Sequence, residues 1–475
     1  MPLIYCRAIV NTIDSTNMKD KTLALIIFTA FVLLTTISLL VSIKIGLLVF
    51  TAGVLIAVVF LNPFIGLLLY LAMTYLRPQE FVASLKGKPL MLAMALVVLI
   101  ILVIHNAFQR KKFLFLNFRQ GIYMIAFFTV IILSQLQLLY LTGAKEAFNH
   151  FLPVFTLFFM IVNLVRNLDE LKKTFMLLAM MTLLISIDGI WQYYHGIDIA
   201  GQTPVEGRIR WIGIFSDPND LGLTILAFTP FALLQLFRKK AKAATRMFWF
   251  LVLVILLYAL YLTNSRGTFL GLIAVLAFFS IRKWGWAKGL VGGAVSAAAI
   301  FVTGPSRLGE LSLHEASASG RIEAWATGID LLKWRPILGV GYGNFTEYHP
   351  LTAHNSVVLC FSELGLVGLF VWMLIIVTSF TEMQRAWKAA RGTELAVYAE
   401  TMQLAIIGFF ISAFFLSRTY NEVLYIIVAL CALLSYFTRK LYKYRVPFID
   451  MKTVLLTIGA MIAAIAVVKV MVMAG

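Results

Sequence analysis

Residues 247–263 read MFWFLVLVILLYALYLT, residues 264–267 are Asn264-Ser265-Arg266-Gly267, and residues 268–281 read TFLGLIAVLAFFSI. Two apolar runs of helical length separated by so short a polar segment describe a hairpin of antiparallel helices. A span of the bilayer needs roughly 20 apolar residues, and somewhat fewer when the helix is buried among others. Comparable runs recur on both sides, at 23–43, 45–61, 64–76, 90–105, 121–140, 151–165, 174–190 and 219–237, then 289–303, 355–380, 402–417, 423–438 and 453–473. The pattern predicts an all-α polytopic integral membrane protein of roughly 12–15 transmembrane helices. Asn62-Pro63 kinks one re-entrant hairpin or separates two spans.

Composition agrees. Of 475 residues 61% are hydrophobic and 13% charged, where a soluble domain has roughly 25% charged. Only lipid can solvate that much apolar surface. The net charge of +18 comes from short basic runs between apolar stretches, a placement that fits anionic lipid and gives no reason to expect nucleic acid. Cys6, Cys360 and Cys431 have no partners at metal-ligand spacing and read as packing residues. The run 23–43 is too long for a signal-peptide core and has no cleavage site after it, so it is expected to remain as the first span.

Alternating from a cytoplasmic N-terminus places Arg110-Lys111-Lys112, Lys172-Lys173, Arg238-Lys239-Lys240, Arg282-Lys283, Arg385/Lys388/Arg391 and Arg439-Lys440 inside, as the positive-inside rule requires. The expected layout is a cytoplasmic tail 1–22, N-terminal spans 23–150, spans 151–303 with an outer loop 191–218, a large outer loop 304–354, and C-terminal spans 355–475. Both outer loops exceed the usual helix connection, which often signals function. The larger contains a helical stretch, Arg321 to Lys333, with Ile322, Trp325, Ile329 and Leu332 as its apolar stripe.

Outer loops should be poor in arginine, yet Arg208, Arg210, Arg266, Arg321, Arg335 and Arg418 all fall there. Arg266 lies at the hydrocarbon boundary, where a guanidinium is expensive unless an anion meets it. Arginine suits forked recognition of phosphate. The plainer reading of Arg266 is snorkelling to lipid headgroups. Gly339-Val-Gly341-Tyr342-Gly343 allows a tight turn against which a phosphate could lie. His354 stands where the long loop enters a helix near Asn355. The helix terminus and the nearby arginines bias its imidazole toward the neutral form, which is competent as a general base; capping or packing is the alternative. Asp217 and Asp220 in Ser-Asp-Pro-Asn-Asp read as a turn and helix start rather than a metal site. Asp188, Gln135, Gln137 and Glu363 are intramembrane polar residues, with Glu363 in the same helix as His354 leads into.

Gly320-Arg321…Trp325, Pro336-Ile-Leu-Gly339-Val-Gly341-Tyr-Gly343-Asn-Phe345, Ala353-His354-Asn355-Ser356 and Glu363-Leu-Gly365-Leu-Val-Gly368 together resemble the O-antigen ligase and O-antigen polymerase superfamily. Arg210-Trp-Ile-Gly213…Pro218-Asn219 is similar to its upstream element, and Ser265-Arg266-Gly267 to its second arginine. The resemblance covers about residues 150–440. Asn62-Pro63…Arg77-Pro78-Gln79-Glu80-Phe81 resembles the subgroup associated with exopolysaccharide and exosortase loci.

The resemblance implies a glycosyltransferase of the bacterial inner membrane, multi-pass, with its active site facing the periplasm. It implies a glycan donor linked to undecaprenyl diphosphate, an inverting reaction, and no metal or cofactor. Arg210 and Arg266 would bind the diphosphate, with Arg321 adding charge, and His354 would activate the acceptor hydroxyl. Arg208, Asn355, Glu363 and Tyr342 are supporting candidates. The acceptor is a lipid A core, a growing glycan or a protein, so ligation, polymerisation and protein O-glycosylation stay open. A lipid-linked oligosaccharide flippase fits less well, because no internal repeat is seen and the candidate groups collect on one face.

Overall fold

The computed structural model describes residues 35–36, 38, 42–108, 112–238, 241–303 and 316–474. The expected tail 1–22 with Cys6, most of the expected span 23–43, Arg110-Lys111, Lys239-Lys240 and residues 304–315 lie outside the described residues. Two compact units are distinguished, one ending at Gly66 and the other beginning at Leu67.

The first unit contains α1 (Ile43–Leu61). Asn62 leaves the helical region at φ −142°, and α2 (Pro63–Leu76) begins at the next residue. Asn62-Pro63 therefore separates two helices, since proline cannot supply the amide that would carry α1 onward.

The second unit continues with α3 (Pro78–Phe81), α4 (Leu90–Phe108), α5 (Arg119–Leu136), α6 (Leu141–Leu164) and α7 (Leu168–His195). It goes on through α8 (Pro218–Leu236), α9 (Ala243–Leu262), α10 (Arg266–Trp284), α11 (Trp286–Thr303) and α12 (Ala316–Trp334). The last four are α13 (Ser356–Ala389), α14 (Glu394–Ala413), α15 (Glu422–Tyr442) and α16 (Met451–Ala474). Eleven of the described helices are long and apolar enough to cross a membrane. Among the described residues the only β pairing is a bridge between Val205 and Arg208. The protein is an all-helical, polytopic membrane protein. Helices α6 and α14 begin at Leu141 and Glu394, before their apolar runs at 151 and 402. An apolar window marks the hydrocarbon stretch, whereas a helix continues into the headgroup layer wherever nothing stops it.

Helices α8 and α15 are buried over most of their length and form the centre. Around them α8 packs on α9 and α14, α10 on α11 and α14, and α13 on α5, α14, α15 and α16. Small residues set the closest approaches: a side chain at Gly271 would strike Leu226, Ser412 and the Gly408 carbonyl. Without a hydrophobic drive between helices in lipid, such close packing supplies much of the association energy.

The chain feature that organises one end of the bundle is a break in α13. Gly365 has φ 66° and ψ −166°, a region open almost exclusively to glycine. The backbone groups released there are paired by the loop after α12: Val340 N donates to Ser362 O at 2.8 Å and Gly341 N to Glu363 O at 3.0 Å. In return Leu366 N donates to Pro336 O at 2.8 Å and Val367 N to Ile337 O at 3.2 Å. The segment expected to offer a phosphate cradle is thus engaged, at residues 336–341, in repairing a broken helix. Gly339 is required because a Cβ there would lie 2.3 Å from the Glu363 carbonyl carbon.

The expected helix Arg321–Lys333 is present as part of α12, but its buried face is shifted. Ala324, Trp325, Gly328 and Leu331 are buried, while Ile322, Ile329 and Leu332 are half-exposed. Gly328 meets Val358 and Ser362 of α13, and Ser362 Oγ donates to Gly328 O at 3.3 Å. Close approach of two helices selects the small residues for the contact, and the larger apolar ones flank it.

Replacing Gly365 by Ala combines a disallowed backbone conformation with a Cβ placed 2.2 Å from Ile337 O. A loss of about 2–4 kcal/mol is expected, read as a lower melting temperature of the purified protein in detergent.

Candidate active site at one end of the helix bundle

The N-termini of α8, α10, α13 and α15 and the C-termini of α7, α9 and α14 meet at the end of the bundle where the α13 break lies. Hydrogen bonds tie their connecting segments together. Ile209 N donates to Leu262 O at 3.2 Å, linking the α7–α8 loop to the α9–α10 turn. Arg418 N donates to Ser356 Oγ at 2.7 Å and Thr419 Oγ1 to Ser356 O at 2.8 Å, linking the α14–α15 loop to the start of α13. Tyr342 N donates to Ser134 Oγ of α5 at 3.0 Å. Arg208, Arg210, Arg266, Arg321, Tyr342, His354, Asn355 and Glu363 therefore all belong to one end.

At the mouth of α13 two neighbouring residues divide two tasks. Asn355 is fully buried and caps the helix, its Oδ1 accepting from Val357 N at 2.9 Å and Val358 N at 3.2 Å. Its Nδ2 is buried without a partner. His354 is not the cap. It holds a left-handed backbone at φ 48°, uncommon for a residue with a side chain, and is half-buried. Burial depresses the imidazole pKa below its ordinary value, and the positive charges of Arg321 and Arg418 depress it further. The neighbouring His349 is half-buried and bonded locally, Leu351 N donating to its Nδ1 at 3.1 Å.

Arg418 is held by Asp220 in the first turn of α8: its Nη2 lies 2.7 Å from Asp220 Oδ2, and its Nε donates to Oδ1. Asp217 caps α8, accepting from Asn219 N at 2.7 Å and from Asn219 Nδ2 at 2.9 Å. The two carboxylates considered for a metal are thus occupied, one by an amide array and one by a guanidinium. Among the described residues no cluster of three or more His, Cys, Asp or Glu is placed to hold a metal ion.

The two arginines of the α7–α8 loop point to different partners. Arg208, a supporting candidate in the sequence, donates from Nε to Thr263 O at 2.8 Å and from Nη2 to Asn219 Oδ1 at 2.8 Å. It stands between the α8 start and the turn that carries Arg266. Arg210 instead donates from Nε to Thr203 O at 2.9 Å and faces Asp198. Arg266 is the first residue of α10, after Asn264 in a left-handed conformation at φ 48°. Arg335 lies over the exposed Trp334 ring at 5.0 Å.

Beneath this surface is a buried polar network. The Tyr420 hydroxyl donates to Glu363 Oε2 at 2.8 Å, and the amides of Gly343 and Phe345 face the same carboxylate. The Tyr342 ring packs edge-on against Tyr420 at 4.6 Å, and burial beside Glu363 pushes its hydroxyl pKa up. Gln137 Nε2 donates to Gly339 O at 2.7 Å. The network couples the α13 break to the loop that carries Arg418.

Two participants escape sequence reading. Arg418 was visible as an outward arginine, but its pairing with Asp220 spans 198 residues and leaves no local trace. Arg77, left-handed at φ 45°, lays its side chain over Gly213 so closely that a Cβ there would be 2.2 Å from its Nε. Trp211 Nε1 donates to Tyr75 O at 2.7 Å beside it. The Arg210-Trp-Ile-Gly213 element is therefore clamped by the Tyr75–Arg77 segment, and Gly213 is the residue that makes room.

Residues 222–373 match the family model of the O-antigen ligases. The match supports placing the chain in the O-antigen ligase and polymerase superfamily, as the sequence motifs implied. It contains Arg266, Arg321, His354 and Glu363; Arg208, Arg210 and Arg418 lie outside it. The match supports a membrane glycosyltransferase of O-antigen ligase type in general. No curated protein matches the chain.

Removing one member of the Asp220–Arg418 pair leaves a largely desolvated charge, with 9% and 23% of the side chains exposed. Asp220→Ala is expected to cost about 2–3 kcal/mol, below the value for a wholly buried pair. The double variant Asp220→Leu/Arg418→Met should recover part of that loss, measured as melting temperatures in a double-mutant cycle.

Proposed function

We propose that the protein transfers a glycan from undecaprenyl diphosphate to an acceptor hydroxyl at the periplasmic face of the bacterial inner membrane. The observation that carries this reading is a half-buried His354, held in a left-handed conformation beside Arg321 and Arg418 at the end of the bundle. Strained backbone at a cationic site points to a positioned reactive group.

The leaving group is a lipid diphosphate, so the protein must neutralise the charge that grows as the bond from the anomeric carbon to the phosphate oxygen breaks. That electron pair departs with the diphosphate. Arg210 and Arg266 would meet it, and Arg208, Arg321 and Arg418, at the same end of the bundle, would add to the positive charge there. Four helix N-termini add partial positive charge from the same side. Preorganised cations of this kind stabilise the transition state without a proton transfer. On the other side of the sugar, the acceptor hydroxyl loses its proton to a ring nitrogen of His354 as its oxygen bonds to the anomeric carbon. Attack opposite the diphosphate inverts that carbon. No metal or cofactor is needed for either half, because the phosphates already make a competent leaving group and the base is a protein side chain.

Two experiments test the roles. With purified protein, lipid-linked donor and a hydroxyl acceptor, His354→Ala should lower transfer by about 10²–10⁴-fold while leaving donor binding intact; full activity in that variant would remove the base. The pH profile supplies the second. A base must be neutral, and the His354 pKa is depressed, so wild-type activity should persist to a pH below the ordinary imidazole range and fall as pH drops through the depressed value. Arg321→Gln removes a positive neighbour and raises that pKa, so the acid limb, normalised to its own plateau, should move to higher pH. An unmoved limb would sever Arg321 from His354.

A further inference from the structure

Some 26 residues along α13 from its first turn, a second charged cluster lies at the far end of the bundle, about 40 Å of helix away. Arg119, the first residue of α5, is 5% exposed and Glu382 of α13 is 1% exposed. Arg119 Nε and Nη2 donate to Glu382 Oε1 at 3.0 and 2.6 Å, and Gln120 Nε2 donates to Oε2 at 2.9 Å. One turn further along α13, Arg385 donates to Asp450, whose carboxylate also accepts from Thr453 Oγ1 at 2.5 Å. Tyr444 lies within the fields of Glu382, Arg439 and Arg385, and Asp450 within those of Arg385 and Arg119. The groups thus form one cluster assembled from α5, α13, α15 and the start of α16.

Its donors outnumber its acceptors. Each guanidinium keeps a buried N–H without an acceptor: Arg119 Nη1, Arg385 Nη1 and Arg439 Nε. The buried hydroxyls of Ser435 and Tyr444 face each other beside them. Among the described residues three cations of the cluster face two carboxylates, Glu382 and Asp450, an excess of one positive charge. A buried polar group without a hydrogen bond is expensive, and a charged one more so. A ligand with several acceptor oxygens and a negative charge would satisfy both deficits at once, and guanidinium forks match phosphate in shape.

The surroundings favour a lipid source. Lys443, Arg445 and Lys452 are exposed around Phe448, Ile449 and Met451, which are themselves 58–69% exposed. Basic residues interleaved with exposed apolar ones describe a segment seated in the headgroup layer. Helix α16, which starts there, buries only Thr453, Thr457 and Val468, so the cluster adjoins a helix that faces lipid.

We propose that this cluster binds a phosphate oxyanion, carried as the headgroup of an anionic phospholipid in the leaflet opposite the His354 end. The inference stands apart from the transfer reaction and does not depend on it.

The test uses the full chain purified in a neutral detergent. Native mass spectrometry with phosphatidylglycerol or phosphatidylcholine counts bound lipid, and thermal melting with added inorganic phosphate tests the soluble form of the same chemistry. Wild type should retain phosphatidylglycerol in preference to phosphatidylcholine. Arg439→Gln should weaken that binding by about tenfold, and Lys440→Gln, at the exposed neighbouring position, by far less. Tyr444→Phe removes one buried hydroxyl of the cluster without changing charge and should weaken binding by about two- to threefold; it serves if Arg439→Gln does not fold, as judged by its melting in phosphatidylcholine. Stabilisation by inorganic phosphate alone, lost in the variants, would support the oxyanion site with a soluble ligand. Equal retention of the two lipids together with no response to phosphate overturns the proposal, as do variants that bind like wild type.

Discussion

An amide or carbonyl left unpaired in hydrocarbon costs several kcal/mol, so a helix can break within a membrane protein only where other backbone repairs it. In this chain the break in α13 at Gly365 is repaired by residues 336–341, which exchange four backbone hydrogen bonds with residues 362–367. That single arrangement determines much of what surrounds it. It explains why glycine stands at 339 and at 365, where side chains would meet the opposing backbone. It brings Tyr342 against Tyr420 and lets Tyr420 bond Glu363, thereby anchoring the loop from which Arg418 projects. The start of α13, with Asn355 as cap and His354 before it, is anchored to the same loop through Ser356.

Charge is managed differently at the two ends of the bundle. Near His354, Asp217 is consumed by a helix cap and Asp220 by Arg418, so the carboxylates there orient other groups rather than offering an open acidic site. Four helix N-termini point to the same side, and the His354 imidazole pKa is depressed there by burial first and by the charges of Arg321 and Arg418 second. At the far end, Arg119 and Glu382 are buried together and fully face each other, with further arginines stacked beyond them. Both ends are richer in donors than in acceptors. For a protein whose proposed substrates and surroundings are phosphate-bearing lipids, that is an economical way to select them.

Much of the architecture was legible in the residues. Apolar runs located the helices, because in lipid the helix is the only unclosed structure that satisfies its own backbone. The surplus of outer-loop arginines, the Ala-His-Asn-Ser stretch and the glycine motifs carried the resemblance to the family, and the structure gathers these residues at one end of the bundle. What failed to show was side-chain partnership. Arg208 and Arg210 are two residues apart and equivalent on paper, yet one reaches Asn219 and the other Thr203. The stripe chosen for α12 by size was displaced by Ala324 and Gly328, since a close crossing rewards the absence of bulk. Of the glycines read as a phosphate cradle, Gly339 and Gly341 lie against the broken stretch of α13, while Gly343 has open space beside it.

Hydropathy and charge bias, properties of neighbours along the chain, determined by themselves that this is a polytopic helical membrane protein, and local motifs carried its resemblance to the O-antigen ligases. Tertiary structure alone decided which arginine meets which carboxylate, that α13 is broken and mended, and that Arg77 clamps the loop around Gly213. These depend on groups brought together from up to 263 residues apart. Periodicity records which face of a helix avoids water, but the partner that a charge or a released amide finds is set by how the helices pack.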